Sequence, residues 1–254
     1  VLISRNMTSQ RFDNLDALRG LAMVWMAVYH FVFDLKYFKL VSLDFYRDPF
    51  WTWQRTLIVS LFLLCAGMGQ AISTVQGQSW QRFWRRWFQV ALSALLVTAG
   101  SWLMFPNSFI YFGVLHGMAL MLIVVRLSAH WGQWLWLLGA LAISSKFIAE
   151  YLLQTGPLTL WVETMNSVHW NWLGWISKNP VTEDYVPLFP WLGVMWWGAA
   201  FGSWVLKQRH EWLVQPVPKA LHVLARLGRW SLSYYLIHQP VLIALVSGVS
   251  WILL

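Results

Sequence analysis

Asp13-Asn-Leu-Asp-Ala-Leu-Arg-Gly-Leu-Ala-Met-Val-Trp-Met-Ala-Val-Tyr-His-Phe-Val-Phe-Asp34 is the stretch that decides the class of this molecule. After an acidic and basic entrance it becomes apolar for long enough to cross a hydrocarbon core of about 30 Å as a helix. Asp13 and Asp16 have capping-box spacing, and Asp16 is placed to pair with Arg19 one turn on. His30 then lies about 16 Å beyond Arg19 along the axis, at 1.5 Å per residue. Asp34 follows one turn later on the same face. An ionisable side chain at the centre of a bilayer costs about 2.5–3.5 kcal/mol, so each one there needs a partner or a function. A carboxylate beside an imidazole can fix its tautomer and raise its basicity, which is what a general base requires. The alternatives are a packing histidine bonded to a neighbouring carbonyl, and an Asp34 that has reached headgroup water.

Working outward, the rest of the chain has the same character. Of 254 residues, 58% are hydrophobic and 11% charged, a balance that a water-soluble domain could not hide inside itself. Seven segments are expected to span the membrane: Leu15–Phe38, Trp51–Ile72, Phe88–Phe105, Phe109–Val125, Trp134–Leu153, Val186–Leu206 and Trp230–Leu254. The loops are too short to fold separately, so residues 1–254 read as one all-α transmembrane domain, a bundle of about seven helices. The first segment has no small-residue cleavage site and is expected to stay in the membrane. Cys65 is the single cysteine, which rules out an intrachain disulfide.

Basic residues near helix ends are retained on the cytoplasmic side. With the amino terminus inside, twelve fall there: Arg5, Arg11, Arg19, Arg82, Arg85, Arg86, Arg126, Lys207, Arg209, Lys219, Arg226 and Arg229. Only Lys36, Lys39, Arg47 and Lys178 fall outside, and the carboxyl terminus is expected outside as well. The formal charge of +8 is therefore read as topology and not as a nucleic-acid surface. The long outer loop 155–185 carries Trp161, Trp170, Trp172 and Trp175, which suit either a sugar-stacking platform or an interfacial helix in the headgroups.

Other polar residues invite chemistry and also admit plainer readings. His116, between Gly113 and Gly117, is read as mid-helix, where small neighbours let a ligand or another helix approach. His238, two residues before Pro240, is read as satisfying the carbonyl that a helix proline frees. Lys146 and Glu150 have the spacing of an ion pair. Arg55 could bind an acceptor carboxylate or phosphate, or pair with Asp34 or Asp48. Arg82, Arg85 and Arg86 could hold donor phosphates or act only as a positive-inside anchor.

Taken together, these motifs resemble the heparan-α-glucosaminide N-acetyltransferase family, part of a wider transmembrane acyltransferase superfamily. The resemblance is carried by Arg11-Phe-Asp-Asn-Leu-Asp-Ala-Leu-Arg-Gly-Leu-Ala22 with His30, by Leu61–Ile72, by the arginine cluster, by Phe112–His116, by Asp184–Trp191 and by Leu227–His238. It implies transfer of an acyl group, in the first instance acetyl, from cytoplasmic acyl-coenzyme A to an amine or hydroxyl of a sugar-like acceptor outside. It makes His30 the catalytic histidine, with Asp34 and His116 as further catalytic candidates. Arg19, Arg82, Arg85 and Arg86 become donor-binding candidates, and Arg55, Glu150 and Asp184 acceptor-binding ones. One departure stands out: the lysosomal branch has asparagine where this chain has His30, and histidine where it has Leu40. No metal is expected. The partners implied are lipid, acyl-coenzyme A and a glycan acceptor, with a homodimer as a possible assembly and a bacterial inner membrane as the setting. Two other classes compete with the enzyme. One is a transporter or flippase using His30 and Asp34 as a proton relay. The other is a scaffold whose polar groups only hold helices together.

Overall fold

The computed structural model describes residues 12–253. Arg5 and Arg11 of the basic set, and Leu254 of the last expected segment, lie outside the described residues. Every named element among them is helical: α1 (Asp13–Tyr37), α2 (Pro49–Val75), α3 (Trp80–Met104), α4 (Val114–Ser128), α5 (Trp134–Thr155), α6 (Val162–Asn166), α7 (Leu188–Gln208), α8 (His210–Val214), α9 (His222–Arg229) and α10 (Ser231–Leu253), with short 3-10 turns between some of them. Six of the helices are long and apolar enough to cross a membrane, namely α1, α2, α3, α5, α10 and α4 extended to Trp131. The remaining expected span, Val186–Leu206, also forms a helix, α7, but Trp191, Trp196, Trp197 and Trp204 lower its mean hydropathy and it is not among the six. Its second residue, Phe189, has strand-like angles (φ −99°, ψ 132°), so the regular helix begins beyond it.

Two boundaries differ from the sequence reading for physical reasons. α3 starts at Trp80 because Ser79 caps it, accepting from the Arg82 amide at 3.4 Å. The arginine cluster therefore lies on the first two turns of the helix and not ahead of it. α4 starts at Val114, because Phe109–Phe112 is held in extended form by another loop. Phe112 makes a parallel bridge with Tyr185, the Val186 amide donates to the Phe112 carbonyl at 3.1 Å, and the Thr182 hydroxyl donates to the Phe109 carbonyl at 2.8 Å.

The chain groups into two compact units. Among the described residues one is Leu63–Arg209, and the other combines residues 12–62 with residues 210–253. In the second unit α1 packs against α9 and α10. Gly20 of α1 and Gly228 of α9 form a reciprocal close crossing: a Cβ at Gly20 would collide with the Leu224 carbonyl, and one at Gly228 with the Asp16 carbonyl. The Arg19-Gly20 and Gly228-Arg229 pairs thus mark one backbone contact. Ion pairs fasten it, from Arg229 to Asp13 at 2.6 Å and from Arg19 to Asp16 at 2.9 Å. Asp13 and Asp16 are spent on those arginines and form no capping box. The helix follows Phe12 without a side-chain cap. Exposed Arg229 has its pKa raised by its hydrogen bond to Asp13 and by the carboxylate charges beside it.

In the first unit α5 packs on α7, and α4 on α3 and α7. Tryptophans tie these helices through their indole N–H groups: Trp87 to the Ala119 carbonyl at 2.8 Å, Trp196 to the Ser128 hydroxyl at 2.8 Å, and Trp197 to the Trp136 carbonyl at 2.9 Å. Arg126, at the end of α4, closes the turn between α2 and α3. It donates to Thr74 and to the Gln78 carbonyl, and its guanidinium lies over the rings of Trp80 and Phe83. The loop between α5 and α7 is a run of short helical turns and not one interfacial helix. Trp161 and Trp170 are exposed there, whereas Trp175 stacks on Phe189 at 4.9 Å and donates to Ser145 at 3.1 Å.

Candidate active site

The second unit brings together two histidines from opposite ends of the sequence. Nδ1 of His30 on α1 lies 2.8 Å from Nε2 of His238 on α10, with ring planes 14° apart. Their partners fix the protons. Nδ1 of His238 is 2.7 Å from the Tyr235 carbonyl oxygen, which can only accept, so that nitrogen carries a hydrogen. In neutral His238 Nε2 is then the acceptor, and His30 must donate through Nδ1. Nε2 of His30 is then the nitrogen that keeps its lone pair, and the Gln239 side chain lies beside the ring. The residue as a whole is half-buried. A neutral imidazole held in one tautomer, with the lone pair on its far nitrogen, is the form a general base or nucleophile needs.

His238 was expected to serve the proline kink, and it does not. Pro240 frees the carbonyl of Leu236, four residues back, while His238 bonds those of Tyr235 and, at 3.3 Å, Tyr234. Asp34 was expected to orient His30, and it does not. Nδ1 of His30 is turned to His238, and Oδ1 of Asp34 accepts from Nε2 of Gln239 at 2.8 Å. Asp34 is only 2% exposed, so it has not reached headgroup water. Its Oδ2 and the Oε1 of Gln239 are buried without a partner. Leaving such a group unpaired costs about 1–3 kcal/mol, and more when it is charged. An aromatic wall flanks His30: the Tyr29 ring lies 5.3 Å from Phe45 and 6.0 Å from Trp51, and Phe45 stacks on Trp51 at 4.3 Å.

The other candidates in this unit are placed as follows. Arg19 is paired with Asp16 at the α1–α9 crossing. Arg55 is exposed on α2 and pairs with neither Asp34 nor Asp48. Asp48 instead accepts from the Phe50 amide at 2.9 Å and caps α2, and Asp44 accepts from the amides of Tyr46 and Arg47, each at 3.0 Å.

In the first unit His116 stands in the first turn of α4, not at mid-helix, and both of its nitrogens are committed. The Gly113 amide, which can only donate, points at Nδ1 at 3.3 Å. Nε2 therefore carries the hydrogen and donates to the Thr98 hydroxyl at 3.0 Å, which in turn donates to the Ile110 carbonyl at 2.7 Å. Asp184 closes the same helix start, accepting from the Val114 amide at 2.7 Å. Glu150 makes no ion pair with Lys146, whose ammonium lies 5.5 Å from the ring of Phe147. Arg82, Arg85 and Arg86 are exposed on the opening turns of α3. The loop residues Tyr111 and Tyr185 enclose Asn171, which is 1% exposed. Burial raises the pKa of both phenols.

Sequence reasoning missed His238 and Gln239 as members of this group. The signal available was the one that singled out His30, an ionisable side chain inside an apolar helix. No curated protein and no solved structure is similar enough to the chain to match it. The family model for the catalytic region of heparan-alpha-glucosaminide N-acetyltransferase matches residues 11–240, a range that takes in α1 with His30 and ends just past His238 and Gln239. The chain belongs to the heparan-alpha-glucosaminide N-acetyltransferase catalytic family.

Proposed function

We propose that this chain is an integral-membrane acyltransferase that moves an acetyl or other acyl group from acyl-coenzyme A on the cytoplasmic side to an amine or hydroxyl of a sugar-like acceptor on the outer side. We read residues 1–254 as one such domain, set in a bacterial inner membrane, with lipid, acyl donor and glycan acceptor as partners and a homodimer as a possible assembly. The observation that carries the reading is the lone pair on Nε2 of His30, held in its tautomer by His238 and the Tyr235 carbonyl.

In the proposed reaction the acceptor's nitrogen or oxygen attacks the thioester carbonyl carbon. Its proton passes to Nε2 of His30, the C–S bond breaks, and the proton leaves with the coenzyme A thiolate. The His30 imidazolium keeps its Nδ1 bond to His238 throughout, so neither ring has to turn. Scarce water in an apolar bundle slows competing hydrolysis of the thioester. Arg82, Arg85 and Arg86 are the proposed phosphate contacts of the donor. Their support is charge and helix polarity: they lie on the opening turns of α3, where the positive end of the helix dipole favours an anion. In this reading His116, with both nitrogens occupied, and the capping Asp184 build the start of α4 and do not take part in the chemistry.

The test is transfer of radiolabel from acetyl-coenzyme A to a glucosamine acceptor by the purified full chain in detergent. Transfer that is lost in His30→Ala, with donor binding retained, supports the enzyme. Label that stays on the protein without acceptor and is released by hydroxylamine would make His30 a nucleophile. Substrate uptake into vesicles without coenzyme A would favour the transporter, and neither activity the scaffold.

A further inference from the structure

The pair Asp34 and Gln239 is left over by that mechanism. Asp34 is 2% exposed inside α1, one turn beyond His30, and Gln239 is the residue after His238. They are bonded to each other through Oδ1 and Nε2 at 2.8 Å, which leaves Oδ2 of Asp34 and Oε1 of Gln239 buried without a partner. The Gln239 side chain also interacts with His30. Two buried acceptor oxygens without a donor, close to the lone pair of His30, outnumber the one remaining N–H of Gln239 and make a site short of hydrogens.

We infer that Asp34 and Gln239 form a clamp whose two unpaired oxygens receive N–H or O–H groups of the acceptor and hold its nucleophile toward Nε2 of His30. Naming the bound molecule an acceptor rests on the proposed reaction; the hydrogen-bonding demand does not. Two acceptor oxygens on mutually bonded residues suit a ligand with two donors close together, an amino alcohol or a vicinal diol. The carboxylate favours the ammonium form of the former. Gln239 is only half-buried, so rotation of its flexible side chain opens both oxygens to an entering ligand.

The experiment measures equilibrium binding of radiolabelled D-glucosamine to the full chain in detergent, without acyl-coenzyme A, for wild type, Asp34→Asn, Gln239→Leu and Gln239→Met. Acetyl-coenzyme A binding serves as the control for folding. The clamp predicts at least a tenfold loss of glucosamine affinity in Asp34→Asn and in either Gln239 variant that retains donor binding, and weaker binding of 2-deoxyglucose than of glucosamine to wild type. It also predicts that turnover by the variants shows a raised KM for glucosamine and an unchanged KM for acetyl-coenzyme A, a split that mere loss of stability would not give. Glucosamine affinity within twofold of wild type in the variants overturns the clamp, as does wild-type protein that does not bind glucosamine. Binding that is lost in the variants while wild type transfers no acetyl group would keep the clamp and sink the reaction. Transfer with unaffected glucosamine KM in the variants would do the reverse.

Discussion

Two histidines within membrane-spanning helices, His30 and His116, are separated by how completely their nitrogens are used. His116 receives a backbone N–H on one nitrogen and donates to Thr98 from the other, and nothing remains for a substrate. His30 spends one nitrogen on His238 and keeps the second. The cost of inserting an ionisable side chain marks a histidine as purposeful without saying for what. The count of satisfied ring atoms separates a histidine that builds a helix start from one that can take a proton.

The comparison breaks most visibly at His30. His30→Ala is expected to lower acetyl transfer by at least about a hundredfold, the lower end of what a general base supplies, with donor binding unchanged. Turnover within about threefold of wild type would make His30 a packing residue. His238→Phe keeps a flat ring but cannot accept from His30. Transfer should fall by roughly tenfold to a hundredfold, by analogy with partners that orient metal-bound imidazoles, while acetyl-coenzyme A and glucosamine still bind. An unchanged rate would mean that the tautomer is fixed by something else.

Effects at His116 are expected in stability and not in chemistry. His116→Ala leaves the Gly113 amide and the Thr98 hydroxyl each short of a partner and should cost about 1–3 kcal/mol in detergent unfolding. Activity per folded molecule should stay within about threefold of wild type. A specific loss of turnover would return His116 to the list of bases. Asp184→Ala removes the cap on the Val114 amide and should cost about 0.5–2 kcal/mol, again without a change in the rate per folded molecule.

The long apolar helices were legible in the sequence because hydropathy and length are local properties, and so was the Asp16–Arg19 pair, three residues apart. What escaped was set by distant partners. Phe109–Phe112 is apolar enough to read as helix, but residues 182–186 hold it extended. Trp80–Arg86 reads as a loop because it is charged, yet Ser79 caps it and Arg126 packs over Trp80 and Phe83. Asp34 was assigned to His30 by its one-turn spacing, but a carboxamide 205 positions away competes for it. The tryptophans, read as marks of lipid interfaces, include several that instead tie helices together through their N–H groups.

The His30–His238 contact spans 208 positions of the chain. At a synthesis rate of about 5–20 residues per second, roughly 10–40 s separate the polymerisation of one imidazole from that of the other. Through that interval α1 is already made, and His30 has neither its tautomer-fixing neighbour nor the α9 crossing that seats its helix. A chain interrupted before α10 therefore carries a first helix whose His30 lacks the neighbour that fixes its tautomer. The arrangement at His30 is therefore a property of the α1–α10 pair and not of α1 alone.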